Sequence, residues 1–309
     1  TFGSGTAAIY FAVTNILRQG DELIAANNLY GGTFTQFDAI LPQQGITTHF
    51  TAVNDFEAVE KAINERTRAL YIETVGNPAL DAADIERYAA VAENPHLPLI
   101  VDSTFTPPTL LRPIEHGADI VVHSLSKWIG GHGTGIGGIV VDAGKFDWSD
   151  PKFALYNEPD RGYHGMRFAH DLGDEIPLAF SFRLRFVGLR NQGAALAPDA
   201  AWIFLQGVES LPLRMAKHSE NALRVAEFLK KHPKVEWVRY PGLPDDPSWP
   251  IASKYMKNGF GGMVVFGVRG GSAEAMKLVD NIRLFSILAN VGDAKSLIIH
   301  PASTTHSQL

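Results

Sequence analysis

Short apolar runs recur through the first half of the chain, separated by polar and glycine-containing segments. Short apolar runs bounded by turn-forming residues are typical of strands buried inside a parallel sheet. Segments of helical character lie between these runs. The alternation therefore predicts an α/β domain with a mostly parallel sheet. The predicted strands are Leu23–Ala26, Leu70–Glu73, Leu99–Asp102, Ile120–His123 and Ile139–Val141.

The pattern changes after a polar and aromatic stretch at residues 146–165. From about residue 194 to residue 231 it becomes helical, with charged positions that indicate one face in water. We therefore predict two domains, a large one at residues 1–205 and a smaller C-terminal α/β domain at residues 206–309. The two strands predicted for the smaller domain are Trp237–Gly242 and Gly262–Val268.

Lys127 follows the strand-like run Ile120–His123 and is itself followed by glycines, with two hydroxyl residues, Ser124 and Ser126, just before it. A lysine in such a turn can form a Schiff base while the serines hold a phosphate. Pyridoxal phosphate (PLP) requires both functions, because the cofactor is captured covalently and also oriented. On its own the segment would also fit a surface lysine after a strand.

Asp102 lies at the carboxyl end of the predicted strand Leu99–Asp102, where open α/β sheets place ligand-binding groups. A buried carboxylate requires a cationic partner, which the pyridinium nitrogen of PLP would supply. Since the next strand leads to Lys127, we expect both side chains at the same sheet edge. The alternative for Asp102 alone is a helix N-cap.

Three further segments carry candidate chemistry. Gly5 and Thr6 lead into an alanine-rich helix, whose free amides and dipole would bind an anion. Tyr30 follows a strand and could stack on a flat cofactor, or act as a turn tyrosine. Asn77 also follows a strand, and its amide could serve a phenolate oxygen and a substrate carboxylate.

Together these motifs resemble the Cys/Met-metabolism family of PLP enzymes over nearly the whole chain. The matching segments, in the family's order and spacing, are Ser4–Thr6, Tyr30–Thr33, Gly76–Pro78, Val101–Thr104 and Ser124–Lys127. Within the family, the stretch from Phe146 to Arg185 is most similar to the O-acetylhomoserine sulfhydrylases, also called homocysteine synthases. The resemblance implies the aspartate-aminotransferase-like fold (fold type I) and PLP as cofactor.

The resemblance also implies a role for individual residues. It implies that Lys127 carries the cofactor and shuttles protons, that Asp102 pairs with the ring nitrogen, and that Tyr30 stacks on the ring. Asn77 and Ser296 are implied to contact the substrate. The further cofactor contacts that it implies come from Gly5, Thr6, Ser124, Ser126, Asn77 and Thr104.

The implied reaction is γ-replacement on O-acetyl-L-homoserine with sulfide or a thiol, which yields homocysteine or methionine for methionine biosynthesis. A γ-lyase of the same family and a non-catalytic homologue remain alternatives. A NAD-dependent dehydrogenase is a remote alternative, because Gly3-x-Gly5-x-x-Ala8 fits a dinucleotide fingerprint. However, the next strand ends in Asn27 and Asn28, with no acid for a ribose. The acyl group and the sulfur donor stay open.

Composition argues against several other classes of protein function. The net charge of −6 and the pI near 6.0 argue against a nucleic-acid partner. The absence of cysteine excludes disulfides, a thiolate nucleophile and cysteine-based zinc sites, and we expect no metal. No apolar run approaches the roughly 18 residues of a membrane span, so we expect a cytoplasmic enzyme. The resemblance implies a homotetramer whose active sites are shared across a dimer interface.

The ends of the chain carry one further expectation. The sequence begins with Thr1 directly at the predicted phosphate-binding turn. In the resembled family, a Tyr-x-Arg segment lies upstream and a substrate-binding arginine lies downstream. We therefore expect the 309 residues to be part of a longer protein that lacks N- and C-terminal pieces here.

Overall fold

The computed structural model describes residues 1–304. Residues 305–309, which end the predicted smaller domain, lie outside the described residues. Ten strands occur in the described part of the chain. They are β1 (Glu22–Ala26), β2 (Thr47–Thr51), β3 (Thr67–Glu73), β4 (Leu99–Asp102), β5 (Ile120–Ser124), β6 (Gly138–Asp142), β7 (Val235–Arg239), β8 (Val265–Val268), β9 (Ser286–Ile287) and β10 (Leu297–Ile298).

Strands β1 to β6 form one sheet in the order β2-β1-β3-β4-β5-β6. All neighbours are parallel except β5 and β6, which are antiparallel. The prediction of an α/β fold with a mostly parallel sheet is therefore confirmed. The sequence did not predict β2, because Thr47–Thr51 is mostly polar and forms an edge strand with one neighbour.

The sheet is covered on both faces, which explains its apolar strands. Ile24, Leu70 and Val101 point into one apolar core, together with residues of the helices at 56–62 and 85–93. Their strand neighbours Tyr71 and Ile100 point into the other core, against the first helix of the chain. Since successive side chains on a strand alternate between faces, no strand in the middle of this sheet presents a polar face.

The described chain also contains ten α-helices, of which the eighth is by far the longest. They are α1 (Gly5–Thr14), α2 (Gly31–Thr35), α3 (Phe56–Ala62), α4 (Ile85–Glu93), α5 (Ala154–Asn157), α6 (Ala179–Arg183), α7 (Arg190–Gln192), α8 (Pro198–Lys231), α9 (Trp249–Tyr255) and α10 (Ser272–Asn281). Shorter 3-10 and π-helical turns lie at Gln36–Ile40, Leu41–Gln44, Pro113–His116, Gly173–Leu178, Leu184–Leu189 and Pro301–Ser303. Within residues 1–304, none of the helices has both the length and the apolar character that a membrane crossing requires.

Helix α8 links the large sheet to the C-terminal part of the chain. After α8, β7 pairs with β8 antiparallel, and β9 pairs with β10 parallel. The predicted domain boundary between residues 205 and 206 falls inside α8. We retain the division into a large and a smaller domain as a proposal.

The sheet topology places three strand ends side by side. Glu73 at the end of β3 is paired in register with Asp102 at the end of β4, and Asp102 is paired with Val122 of β5. Because the three strands are parallel, their carboxyl ends meet at one edge of the sheet. The candidate site is built at this edge.

Candidate active site

Lys127 lies in a tight turn that starts where β5 ends. The turn is held by backbone bonds, from the Lys127 amide to the Ser124 carbonyl at 3.3 Å and from the Gly131 amide to the Lys127 carbonyl at 2.8 Å. The Lys127 Nζ donates a hydrogen bond to Oδ1 of Asn290 at 2.9 Å. Burial lowers the pKa of Lys127, which increases the fraction of neutral amine. A neutral amine is the form that attacks an aldehyde.

Arg214 of α8 fastens this turn to the rest of the protein. Its guanidinium donates to the carbonyls of Trp128 at 2.7 Å and Ile129 at 3.1 Å. The same group reaches the Gly207 carbonyl of α8 at 2.7 Å. Gly131 has a φ of +75°, and a Cβ there would lie 2.2 Å from the guanidinium. The turn that carries Lys127 therefore packs closely against α8.

Asp102 is buried at the end of β4, with 7% of its surface exposed. Its Oδ1 accepts a bond from the Thr104 amide at 2.8 Å, and its Oδ2 lies 3.5 Å from the Tyr71 hydroxyl. Thr104 also links two strand ends, because its Oγ1 accepts from the Ser124 amide at 2.8 Å. Burial raises the pKa of Asp102. A positive charge beside this carboxyl would favour its ionised form.

A second buried carboxyl, Glu73, lies next to Asp102 and is also 7% exposed. Burial, followed by the charge of Asp102, raises the pKa of Glu73 well above its ordinary range. Its Oε1 accepts a hydrogen bond from the Tyr30 amide at 2.7 Å. Among residues 1–304, neither carboxyl forms an ion pair with a lysine, arginine or histidine. This edge therefore presents buried carboxyls, still without a cationic partner in the described chain, to a cationic ligand.

The start of α1 also borders the site. Ser4 caps this helix, since its Oγ accepts from the Ala7 amide at 3.0 Å. The earlier amides, of Gly5 and Thr6, have no acceptor within the helix, and both residues line one cavity. A Cβ on Gly5 would lie 2.6 Å from the Cβ of Ser124. Helix α1 therefore meets the end of β5 in direct contact, next to the Ser124 hydroxyl.

The remaining predicted residues surround the same space. Ser126 Oγ accepts from the Gly137 amide at 3.0 Å. Tyr30 precedes α2 and is 49% exposed. Asn77 follows β3, and its backbone N–H donates to the Asn28 carbonyl at 3.3 Å. Ser296 precedes β10, and its carbonyl accepts from the Ser286 amide at 2.9 Å.

One cavity of about 1900 Å³ brings these residues together. Every residue for which a site role was predicted contributes to its wall: Gly5, Thr6, Tyr30, Asn77, Asp102, Thr104, Ser124, Ser126, Lys127 and Ser296. The structure thus unites residues from segments far apart in the sequence, and we retain their individual roles as proposals. Glu73 and Asn290 also line the cavity.

The residues present fit PLP. An amine of lowered pKa suits its aldehyde, and buried carboxyls without a cation among the described residues suit its ring nitrogen. The free amides at the start of α1 suit its phosphate. Residues that carry all three kinds of group line one cavity, as a cofactor with three such ends requires.

Sequence reasoning missed two residues of this site. Glu73 was included in a predicted strand without a role, although its strand-end position is the same signal that singled out Asp102. Asn290 gave no signal at all. It lies 163 residues from Lys127 along the chain, in a loop without a recognisable pattern, and only the folded structure brings it to the amine.

Comparison with known proteins agrees with this geometry. A family model described as Cys/Met metabolism PLP-dependent enzyme matches residues 1–309. The chain is 51% identical to an O-acetyl-L-homoserine sulfhydrylase of Leptospira meyeri and 48% identical to a homocysteine synthase of Schizosaccharomyces pombe. Each match covers 99% of this chain and 71% of the relative's length.

A solved structure is also similar to this chain in fold. It belongs to a Campylobacter jejuni protein assigned as an O-acetylhomoserine (thiol)-lyase, which contains N'-pyridoxyl-lysine-5'-monophosphate. The TM-score is 0.94 at 39% identity, over 100% of this chain and 73% of the other. The similarity therefore extends over the whole described fold, including β4, which carries Asp102, and β5, which leads to Lys127.

Proposed function

Because this chain belongs to the family of Cys/Met metabolism PLP-dependent enzymes, we propose that it catalyses γ-replacement on O-acetyl-L-homoserine. Sulfide or a thiol replaces acetate, and the product is homocysteine or its thioether methionine. One structural observation carries the proposal: Lys127, Asp102 and the amide end of α1 line the same cavity. The names of the relatives from Leptospira meyeri and Schizosaccharomyces pombe support this choice of substrate and product.

The protein's first task is to hold the cofactor in one orientation. When bound, PLP supplies an electron sink for negative charge that develops on the substrate. We assign Lys127 to its covalent attachment and Asp102 to the charge on its ring nitrogen. The amides of Gly5 and Thr6, with the hydroxyls of Ser124 and Ser126, would donate to its phosphate. Thr104 would keep the ends of β4 and β5 in register through its bond to the Ser124 amide.

Lys127 is also the proposed acid and base. Its amine, once free, would remove the proton at the substrate Cα and assist the proton transfer at Cβ that precedes loss of acetate from Cγ. After sulfide has added at Cγ, the same amine returns the protons. The lowered pKa of Lys127 suits both directions, because a base works best when its pKa lies close to the operating pH.

The remaining residues would position the substrate. Tyr30 precedes α2, is half-exposed and lines the cavity, where its ring would stack on the cofactor and lie near the leaving group. The Asn77 amide and the Ser296 hydroxyl, both on the cavity wall, would bind the substrate carboxylate. Asn290 holds the lysine amine at 2.9 Å and would keep it aimed into the cavity.

The deciding experiment is a product assay on the purified protein with PLP. With O-acetylhomoserine and sulfide, γ-replacement yields homocysteine and acetate without ammonia. A γ-lyase instead releases ammonia and 2-oxobutanoate, whether or not sulfide is present. The proposal requires that homocysteine be the major product, and it fails if 2-oxobutanoate forms at an equal or higher rate. Lys127→Ala is the control, because it should abolish both products.

We also propose a homotetramer with shared active sites and a cytoplasmic location. Large apolar side chains on α8, Trp202, Leu205 and Leu213, are 64%, 63% and 76% exposed, as expected for an interface between copies. Light scattering coupled to size-exclusion chromatography tests the tetramer, and a monomer at micromolar concentration would contradict it. Cell fractionation tests the location, and a signal in the membrane or secreted fraction would contradict it.

A further inference from the structure

The buried pair Glu73 and Asp102 has one more acidic group than a single ring nitrogen can neutralise. The two carboxyls end neighbouring strands in paired register, and both side chains point to the α1 face of the sheet. Two adjacent carboxylates shielded from water do not both ionise, because each disfavours the charge of the other. One member of the pair therefore keeps a proton, and the contacts of the two groups differ enough to say which.

Asp102 is built to carry charge. Its Oδ1 accepts from a backbone amide, that of Thr104, and Tyr71 offers a hydroxyl to its Oδ2 at 3.5 Å. Both contacts come from donors, and donors favour an ionised acceptor. Among residues 1–304, the Glu73 carboxyl forms one hydrogen bond, of 2.7 Å, from the Tyr30 amide to Oε1. A neutral carboxyl can make that contact through its carbonyl oxygen, so Glu73 loses little by keeping the proton.

The contact to Tyr30 gives Glu73 a task. Tyr30 precedes α2 without a side-chain cap and is half-exposed. The ring lies over Gly32, where a Cβ would come within 2.6 Å of it. The bond from the Tyr30 amide to Glu73 ties the backbone of this residue to the end of β3. Ring placement at the cavity therefore depends on a side chain below it in the sheet.

We propose that Glu73 is a positioning residue of this site: it anchors the Tyr30 backbone through Oε1 and, as the neutral member of the pair, leaves the negative charge on Asp102. The inference rests on the proposed cofactor roles of Tyr30 and Asp102. The titratable side chains that act on Glu73 are Asp102 on β4 and Tyr71 on β3, and the segment before α2 contributes the backbone amide of Tyr30. Neither of these two side chains is cationic, so a proton is the means by which Glu73 becomes neutral.

The test compares Glu73→Gln with Glu73→Ala in purified holoprotein. Glutamine keeps an acceptor oxygen and is always neutral, whereas alanine removes the anchor. The matched control is Glu60→Gln on the exposed side of α3, and Asp102→Asn removes the charge. Visible circular dichroism of the bound cofactor reports on Tyr30 placement, because it depends on asymmetric aromatic contacts. The kcat and KM for O-acetylhomoserine are measured alongside.

We expect Glu73→Ala to lose the visible dichroism and about tenfold in kcat. Glu73→Gln should keep the parental dichroism, with a kcat within about threefold of the parent. Asp102→Asn should lower kcat by at least about a hundredfold. If Glu73→Gln is as impaired as Asp102→Asn, its charge is required and the proposal is wrong. It is equally wrong if Glu73→Ala keeps the parental dichroism. If the alanine variant fails to fold, the comparison of Glu73→Gln with Asp102→Asn decides alone.

The spectroscopic result is independent of the reaction. A protein that binds PLP and responds to the variants as expected, but forms no homocysteine, would contradict the proposed substrate and leave the role of Glu73 supported. A protein that forms homocysteine while Glu73→Ala keeps parental dichroism would do the opposite. The two failures are therefore distinguishable in one set of samples.

Discussion

Replacing Gly5 by alanine should separate the start of α1 from the end of β5. The added Cβ would lie 2.6 Å from the Ser124 Cβ and 2.9 Å from the Ser124 Cα. These atoms belong to the strand end and cannot rotate away. Because carbon atoms pack at about 3.5–4.0 Å, the two elements must move apart by roughly 1 Å.

The magnitude follows from two opposing terms. Overpacking of this kind costs about 1–3 kcal/mol of unfolding free energy. Alanine offsets about 0.4–1 kcal/mol by restricting the unfolded chain. The net loss for Gly5→Ala is therefore about 1–2 kcal/mol. The same movement withdraws the Gly5 amide from the phosphate, and a lost bond to a charged group of about 1.5–3 kcal/mol weakens cofactor affinity about 10- to 100-fold.

Gly3→Ala provides the matched control two residues away. A Cβ on Gly3 would meet its nearest neighbours, two carbonyl oxygens, at 3.8 Å, which is an ordinary contact. The assay is urea unfolding of both apoproteins, followed by titration with PLP under visible absorption. Gly3→Ala should stay close to the parent in both measurements. The reasoning is refuted if Gly5→Ala is as stable as Gly3→Ala and binds PLP with parental affinity.

Three further predictions concern groups around the site. Arg214→Met should lower the urea unfolding free energy by about 1–3 kcal/mol, because the carbonyls of Trp128, Ile129 and Gly207 lose their hydrogen-bond donor. The control, Arg224→Met at an exposed position of the same helix, should cost much less. Equal losses in the two variants would contradict the proposed role of Arg214 in fastening the Lys127 turn. Asn290→Asp should raise the pKa of Lys127, because a carboxylate replaces the amide at 2.9 Å from its Nζ. The pH profile of PLP attachment to the apoprotein should then shift to higher pH, and an unchanged profile would contradict the contact. Burial lowers the pKa of His123 from 6.5 to about 4, so the unfolded chain binds more protons in that window and stability falls as the pH drops through it. Urea unfolding at pH 7 and pH 4 measures this loss, and His123→Asn should reduce the difference in unfolding free energy between the two pH values by up to about 3 kcal/mol. The prediction is wrong if the parent and the variant lose the same stability between pH 7 and pH 4.

The central strands and the site residues at their ends were predictable from local sequence. The apolar runs before Asp102 and Lys127 mark strands buried on both faces, and parallel strands bring their carboxyl ends to one edge. Strand β2 was not predictable in this way, because an edge strand with one partner needs fewer apolar residues. The long helix α8 was predicted to within a few residues of its observed start.

Contacts across long stretches of chain were beyond sequence reasoning. Asn290 reaches Lys127, and Arg214 of α8 reaches the carbonyls that follow this lysine. Such contacts depend on how separate elements pack, and no spacing along the chain encodes them. Glu73 differs, since its position at a strand end was visible and only its pairing with Asp102 was not.

Identification of the modified lysine tests the central claim most directly. Borohydride reduction of the holoprotein would fix PLP to the amine that holds it, and proteolysis with mass spectrometry would then locate the pyridoxyl group. We predict that it is found on Lys127 alone, and that Lys127→Ala carries none. A pyridoxyl group on a different lysine of the parent protein, or none on any lysine, would contradict the account.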